Sequence, residues 1–480
     1  MYTFNLKAKL ISNEKYAILF IFSIASLIRI IPELIAYPYP IGYDVINYYI
    51  PVLTHFDKYW STISGQFPFY VSLLHIINIG LSLSPHFVVT TFAIITYGVF
   101  AVSIFFIGHK IFKINITYSY YLTFFVIFQI PVLRTTWDLH RDLFSLSMMF
   151  LMLSIIHERK KTNKTVIIIA ASILSAIIAI SDRMVGLLCI LSLITYSFTA
   201  KNRLTILCSV ICAFSFILFS IAGYGILHSN TVEGIKRSQS SMPTSYNPTN
   251  LLILFFVYNG LITPTGIIGF KLWKNKMLKI PLLITAIGAF SWIVFQKVEL
   301  LVADRWTILF GIFLSIFSGY GVIQLTRTNT NVAKILGGSF ICIVVVLGIT
   351  YAIIPNDAPF SLYGIAGKYI HNFAPLTMQF NAMDISDNDN LMHLISWINN
   401  NTDPNSVIIG EKHWRGWMEI KLQDKRIYFF SDDVNALSKD LFNKHAEFYM
   451  ITNNGNQPSL IFQNIEVVYS DHIFNLYKIK

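Results

Sequence analysis

A single carboxylate stands in an apolar part of this 480-residue chain, in the stretch PYPIGYDVINYYIP at residues 38–51. Asp44 follows Tyr43 directly and is followed four residues later by Tyr48. A carboxylate that is partly shielded from water can act as a general base on a hydroxyl group. It could equally bind a hard divalent cation, Mg²⁺ or Mn²⁺, through its oxygens. A third possibility is a turn residue after Gly42 that bonds to the backbone.

Three short segments each place an arginine directly beside an aspartate. They are Arg141–Asp142, Asp182–Arg183 and Asp304–Arg305. Each pair could be no more than an ion pair at a membrane surface. A guanidinium group nevertheless suits bidentate contact with phosphate oxygens. Arginines gathered beside Asp44 would therefore form a site for a phosphate group.

The first of these pairs ends the segment RTTWDLHRD, residues 134–142. This segment also holds a further acid, Asp138, and an aromatic ring, Trp137. We expect Trp137 and the tyrosines of YDVINYY, which are Tyr43, Tyr48 and Tyr49, to offer stacking surfaces for a sugar. His140 is expected to bond a neighbour in its loop or a bound substrate, and not to act as an acid or base.

The composition indicates a membrane protein. Hydrophobic residues make up 54% of the chain and charged residues 13%, with a mean hydropathy of +0.58. A soluble protein carries about 25% charged residues. Apolar runs of about 18–22 residues recur between residues 16 and 353, and each could cross a hydrocarbon core of roughly 30 Å. The chain is therefore predicted to be a multi-pass protein, in the cell membrane.

The distribution of basic residues decides how many runs cross. Cytoplasmic loops of membrane proteins hold an excess of Lys and Arg. If residues 67–83 lie at the interface, about 17 basic residues are cytoplasmic and about 8 are outside. If they cross, the excess falls outside. We therefore predict a polytopic α-helical protein with a cytoplasmic N-terminus and about eleven transmembrane helices. The predicted spans are 16–37, 86–108, 117–133, 142–156, 165–181, 184–200, 203–226, 250–270, 280–296, 303–323 and 333–353.

The net charge of +11 does not indicate a nucleic-acid partner. Under this topology the basic residues belong to cytoplasmic loops, which is a topology signal. Residues 356–480 carry 10 basic and 14 acidic residues, a net charge of −4. No nucleic acid is therefore expected among the partners.

The chain changes character after the last span, which divides it into a transmembrane domain, 1–355, and a polar domain, 356–480. SDNDNLMHLISWINNN has the apolar spacing of a helix. SVIIG, RIYFF, EFYMI, IEVVY and IFNLYKI are typical of short strands, and VNALSKDLF is a further predicted helix. This alternation predicts a small C-terminal α/β domain on the extracytoplasmic side.

The order of these elements resembles the GT-C superfamily of membrane glycosyltransferases. The shared pattern is a first span, an outside loop with an acid, an interface helix rich in aromatic residues, and a second span ending in HKIFK. The superfamily includes protein O-mannosyltransferases, aminoarabinose transferases and the catalytic subunit of oligosaccharyltransferase. The likeness covers the membrane part and is most specific at GYDVINYY.

The resemblance implies an enzyme that uses a polyprenyl-phosphate-linked sugar, with Asp44 as the catalytic carboxylate. It also implies a second acidic motif at WDLHRD, which offers Asp138 and Asp142. The long outside loop 227–249, which contains Arg237, stands where family members have a mobile loop over the active site. The C-terminal part is similar to the extracytoplasmic domain of the family.

Two departures from the family pattern affect what the resemblance implies. Asp44 is followed by Val45, so neither an adjacent acid pair nor a DxD motif is present. A divalent cation is therefore an open question, with Asp44 and Asp142 as the ligands if one is bound. HWRGW lacks the acid, the tyrosine and the final glycine of the oligosaccharyltransferase motif WWDYG, so recognition of an Asn sequon is not supported.

The sequence hypothesis is an inverting glycosyl transfer at the outer membrane surface. Asp44 would deprotonate the acceptor, which is a glycan, a lipid or a protein. Arg141, Arg183, Arg305 or Arg237 would hold the donor phosphate. Three alternatives stay open: an oligosaccharyltransferase-like enzyme that uses a pyrophosphate-linked glycan, a transporter or flippase of a lipid-linked sugar, and a catalytically inactive scaffold whose C-terminal part binds partners. Transporters often show repeated halves, which this chain lacks.

Overall fold

Helices form the part of the chain that was predicted to lie in the membrane. The structure, a computed structural model, describes residues 13–42, 44–57, 68–137, 139–158, 164–200, 203–227, 248–294, 303–327, 330–353, 387–411, 414–423, 426–430, 447–454 and 465–479. The α-helices of the first domain are α1 Glu14–Ala36, α2 Ile50–Thr54, α3 Phe69–Gly80, α4 Pro85–Phe106, α5 Ile116–Ile127, α6 Ile130–Trp137, α7 His140–Glu158, α8 Lys164–Ser181, α9 Arg183–Ala200, α10 Arg203–Leu227, α11 Pro248–Asn259, α12 Thr263–Leu272, α13 Lys276–Ala289, α14 Ser291–Val294, α15 Ala303–Thr326 and α16 Asn331–Ile353. Two short π-helices, Val45–Tyr49 and Ile107–Ile111, join them.

These helices occupy the eleven predicted spans in the predicted order. Seven helical segments in the described part of the chain are long and apolar enough to cross a membrane. Two bent pairs raise that number to nine: α5 with α6, at 63°, and α11 with α12, at 69°. Helices α7 and α8, of 19 and 18 residues, occupy the two remaining predicted spans. The chain is a multi-pass membrane protein.

Helix α15 lies at the centre of the bundle, and glycines let α12 approach it closely. A Cβ atom on Gly269 would lie 1.9 Å from the carbonyl oxygen of Phe317, and one on Gly321 would lie 2.4 Å from that of Thr265. Small residues at such crossings let two helix backbones come into contact, which is how helices associate in lipid. Most of α15 is buried as a result, whereas most of α16 is open to the surroundings.

An ion-pair cluster confirms that α3 does not cross. Lys110, just after α4, lies 3.0 Å from a carboxylate oxygen of Glu14 at the start of α1 and 3.5 Å from one of Glu158 at the end of α7. The start of α1 and the end of α4 are therefore at the same end of the bundle. That is possible only if the segment between them does not cross. Helix α3 has 12 residues and is about 18 Å long, too short for a core of roughly 30 Å.

The C-terminal domain contains the predicted sheet. Its strands are β1 Val407–Gly410, β2 Ile427–Phe430, β3 Phe448–Asn453, β4 Ile465–Ser470 and β5 Phe474–Ile479. The spatial order is β2–β1–β3–β5–β4; β1 is parallel to β2 and β3, and β5 is antiparallel to β3 and β4. The predicted helix at residues 434–442 lies outside the described residues.

Two helices accompany this sheet, α17 Asp387–Asn401 and α18 Arg415–Lys421. Helix α17 buries Leu391, Leu394, Ile395 and Ile398, the face that the sequence pattern predicts. These side chains join a core with Ile408, Trp414 and Leu476. Burying one face of each element in this way forms a small α/β domain.

The topology predicts which introduced cysteines an impermeant maleimide will reach in intact cells. In a Cys342→Ser background, Thr54→Cys and Ser82→Cys should both react from outside, because they flank a helix that does not cross. Lys15→Cys and Lys113→Cys should react only after the membrane is permeabilised. If Thr54→Cys and Ser82→Cys react from opposite sides, α3 crosses and the fold assignment is wrong.

Candidate active site

Asp44 lies at the start of a short helix and does not cap a turn. Gly42 has φ 100°, in the left-handed region that glycine adopts without strain, and it redirects the chain after α1. Asp44 has helical angles, φ −67° and ψ −25°, and its side chain makes no capping hydrogen bond. In the π-helix Val45–Tyr49 that follows, the N–H of Ile50 donates to the carbonyl of Val45. The turn role that the sequence allowed for Asp44 is therefore not seen.

Aromatic rings surround the residues that follow Asp44. Tyr49 stacks on His140, with ring centroids 5.3 Å apart and planes 6° from parallel. Its ring also meets Tyr48 at 5.2 Å and Tyr70 of α3 at 5.8 Å, both edge-on. Tyr49, Tyr70 and His140 are buried. The interface helix α3 and the start of α7 thus hold the first loop between them.

Arg141 connects this loop to the charged residues of the bundle. Its guanidinium carbon lies 5.1 Å from the centre of the Tyr48 ring, within cation–π range. Asp44 and Asp182 both act on Arg141 electrostatically. Burial raises the pKa of Tyr48 and of Tyr49, with Arg141 opposing this rise and Asp44 adding to it. Both phenols therefore keep their protons at neutral pH, and the buried Tyr48 hydroxyl makes no hydrogen bond within the described structure.

A pair of carboxyl groups lies near Arg141. Asp142 and Asp182 are buried and interact electrostatically with each other. Two buried carboxyl groups that share a site are not ionised together, because their like charges repel. Arg305 and Arg141 both attract Asp142. The Asp182 carboxylate also accepts the N–H of Val185 at 2.9 Å, which ties it to the first turn of α9.

The structure thus brings four distant segments to one end of the bundle, here called the Asp44 end. The residues that meet there are Asp44, Arg141, Asp142, Asp182 and Arg305. The sequence analysis expected the three arginine–aspartate segments to share a site with Asp44, and each of them contributes at least one member.

The other predicted site residues are not members of this cluster, and three of them lie outside the described residues. Trp137 is 2% exposed and stacks on Tyr351 of α16, with centroids 4.6 Å apart, so it packs inside the bundle. His140 donates from Nε2 to the carbonyl of Trp137 at 3.1 Å, the loop-neighbour bond that was predicted. Arg183 is exposed on the first turn of α9. Tyr43, Asp138 and Arg237 lie outside the described residues.

Arg29 anchors the segment that precedes the cluster. Its Nη2 lies 2.7 Å from Glu33, one helical turn further along α1. Its Nε donates to the carbonyl of Thr136 at 3.0 Å, near the carboxyl end of α6. A cation there stabilises the exposed carbonyls of the helix end. Arg29 and His140 together therefore fix the end of α6, from which the chain leads to Arg141.

The donor set around Asp142 does not fit a divalent cation. Among the described residues, no three His, Cys, Asp or Glu side chains are arranged to hold a metal ion. Asp44 and Asp142 are the two ligands that the sequence offered, and Arg141 acts electrostatically on both. Asp182 and Arg305 also interact electrostatically with Asp142. A cation between these carboxylates would be repelled by two guanidinium groups.

Sequence reasoning does not single out Tyr70, and it includes Tyr49 only among the tyrosines of YDVINYY that could stack on a sugar. Tyr70 is the one tyrosine of the interface segment 67–83, in FPFY. That position is the sequence feature that could have marked it as a site residue. The chain contains 25 tyrosines and 39 phenylalanines, however, so an aromatic residue at an interface is not informative by itself.

Known proteins resemble this chain in structure and not in sequence. Neither a protein-family model nor a curated protein matches it. The crystal structure of ArnT, an aminoarabinose transferase, from Cupriavidus metallidurans bound to undecaprenyl phosphate superimposes with a TM-score of 0.54 at 10% identity, over 96% of this chain and 97% of that chain. The apo state of ArnT gives a TM-score of 0.52 at 11% identity, over 92% and 93% of the two chains.

These similarities extend over almost the whole of both chains, including the C-terminal sheet. At such low identity they establish the fold and leave the activity to other arguments. The chain has the same fold as ArnT, the GT-C fold that its loop and span pattern predicts.

Proposed function

We propose that this chain is a membrane glycosyltransferase that moves a sugar from a polyprenyl-phosphate-linked donor to an acceptor at the extracytoplasmic face. The observation that carries the proposal is the juxtaposition of Asp44 with Arg141 at one end of a GT-C bundle. A base and a phosphate-binding cation are the two groups that this reaction requires. The undecaprenyl phosphate bound to ArnT supports the same class of lipid here.

In the proposed reaction, the acceptor oxygen attacks the anomeric carbon of the sugar. Asp44 takes the proton of the acceptor hydroxyl. The bond between the anomeric carbon and the phosphate oxygen breaks, and the polyprenyl phosphate leaves with the electron pair. Arg141 and Arg305 stabilise the charge that grows on the leaving oxygen. A single displacement inverts the anomeric configuration, and one carboxylate is sufficient for it.

Further predicted residues assist the base, Asp44, and the phosphate-binding arginines in the proposal. The buried carboxyl pair of Asp142 and Asp182 interacts electrostatically with Arg141 and Arg305 and positions them. The Tyr48 hydroxyl is a protonated donor for the sugar. Asp138 as a second acid and loop 227–249, with Arg237, as a cover that excludes water remain predictions from the sequence.

The extracytoplasmic location of the site rests on charge. The opposite end of the bundle has Lys110 between Glu14 and Glu158, and basic loops that are predicted to be cytoplasmic lie there. The Asp44 end should therefore face outward, where a polyprenyl-linked donor would reach the site from the outer leaflet. The maleimide labelling of Thr54→Cys and Ser82→Cys tests this side directly.

Replacing the proposed base should stop release of the lipid phosphate. Membranes that carry native lipid-linked sugars would be incubated with purified protein, and polyprenyl phosphate would be measured by mass spectrometry. We expect Asp44→Asn to slow release about 10²–10⁴-fold, the usual contribution of a general base. Asp57→Asn is the matched control, because Asp57 is an exposed acid of the same loop.

The identity of the product separates the alternatives. Monophosphate released by the wild type and not by Asp44→Asn supports the proposal. Pyrophosphate would indicate the oligosaccharyltransferase-like reaction. Lipid-linked sugar that changes leaflet without any release would indicate a flippase. Equal release by the wild type and by Asp44→Asn contradicts the role of Asp44.

Removing a proposed phosphate ligand should weaken donor binding. A hydrogen bond to a charged group contributes about 1.5–3 kcal/mol. Arg305→Ala should therefore raise the Kd for undecaprenyl phosphate about 10- to 100-fold. Arg203→Ala, which removes an exposed arginine at the opposite end of the bundle, should leave that Kd unchanged. An unaltered Kd for Arg305→Ala would show that the phosphate binds elsewhere.

We also propose that transfer needs no cation held between Asp44 and Asp142, because two arginines already neutralise that site. The initial rate of polyprenyl phosphate release should then be the same in buffer with EDTA as in buffer with Mg²⁺ or Mn²⁺. Loss of activity in EDTA, restored by added Mg²⁺ or Mn²⁺, would contradict this proposal.

A further inference from the structure

The loop that carries Asp44 is held between two hydrophobic cores. Val45 and Tyr49 are buried in a cluster at the Asp44 end of the bundle, together with residues of α3 and α4. Ile46, in the same π-helix, is 2% exposed and belongs to the core of the C-terminal domain. A five-residue π-helix has little stability of its own. Its position therefore depends on both cores.

Helix α18 contacts this π-helix backbone against backbone, and only a glycine allows it. A Cβ atom on Gly416 would lie 2.0 Å from the carbonyl oxygen of Ile46 and 2.9 Å from the Cα of Asn47. The Gly416 N–H donates to Oδ1 of Asn47 at 2.9 Å. Gly416 lies in a right-handed helix, so its backbone angles do not require glycine. The requirement comes from the approach of the first loop.

A second contact fixes the same interface from the side that precedes Asp44. Tyr39 meets the ring of Trp417 edge-on, with centroids 5.8 Å apart. The Tyr39 hydroxyl donates to the carboxylate of Asp389 in the first turn of α17. The C-terminal domain therefore contacts the loop on both sides of Asp44, at Tyr39 and at Ile46–Asn47.

We propose that the C-terminal domain sets the position of Asp44, with Gly416 as the positioning residue. This inference rests on the proposed role of Asp44 as base. A methyl group at position 416 must move the two backbones apart by about 1 Å, from 2.0 Å to the 3.0 Å that real contacts reach. A displacement of about 1 Å at a reacting group can reduce the rate about 10²-fold. The phosphate ligands Arg141 and Arg305 lie on other elements, α7 and α15, so we expect the displacement to act on Asp44 and not on phosphate binding.

The test compares Gly416→Ala with Gly338→Ala in the purified full-length protein. Alanine is the better helix former, so both changes should preserve or raise helix stability. No atom lies within 4 Å of a Cβ built on Gly338, which makes it the matched control. We expect Gly416→Ala to lower kcat for polyprenyl phosphate release about 10- to 100-fold with an unchanged Kd for undecaprenyl phosphate. Gly338→Ala should change neither quantity.

A further variant covers the case in which Gly416→Ala yields no folded protein. Asn47→Ala removes the bond to the Gly416 N–H without adding an atom, and it should lower kcat about 10-fold at an unchanged Kd. A wild-type kcat in Gly416→Ala, or in Asn47→Ala where Gly416→Ala does not fold, would overturn the inference. A parallel raise in Kd would also overturn it, since it would indicate general damage to the site.

The Asp44→Asn variant, measured beside these two, separates this inference from the proposed function. If Asp44→Asn is inactive and Gly416→Ala is fully active, only the positioning role fails. If Asp44→Asn keeps the wild-type rate, the proposed function itself fails, and the inference fails with it.

Discussion

Charged side chains at the end of a membrane bundle must neutralise one another, and the Asp44 end satisfies this constraint. Ionised groups that are removed from water are costly unless opposite charges and hydrogen bonds surround them. Arg141 interacts electrostatically with Asp44 and Asp182. Asp142 interacts in the same way with Arg141 and Arg305. The arrangement suits a phosphate group, whose negative charge the arginines would balance. It also suits a hydroxyl group, whose proton the Asp44 carboxylate would accept.

The second constraint is mechanical. It arises because Asp44 lies in the connection between α1 and α3 and not on a membrane-spanning helix. Catalytic groups on loops need rigid support from elsewhere. Here the support comes from both sides of the π-helix Val45–Tyr49, one of which belongs to the C-terminal domain. The C-terminal domain therefore helps to position the Asp44 loop, through the contact of Gly416 with Ile46.

The sequence predicts what depends on local pattern and charge. Apolar run length predicts the spans, loop charge shows that α3 does not cross, and alternation predicts all five strands of the C-terminal sheet. The pairing of Asp142 with Asp182 brings together residues that each stand beside an arginine in the sequence, so no local pattern marks it. The contact between Asn47 and Gly416 joins residues 369 positions apart, and a glycine in HWRGW looks like any other loop glycine.

The central claim is that Asp44 and the phosphate of a polyprenyl donor meet at one place on this fold. A structure of the protein determined with undecaprenyl phosphate bound would test it most directly. The account predicts phosphate density within hydrogen-bonding distance of the Arg141 or Arg305 guanidinium group, on the side that faces Asp44. Phosphate bound at the Lys110 end of the bundle, or at the Asp44 end without contact to either arginine, would contradict it.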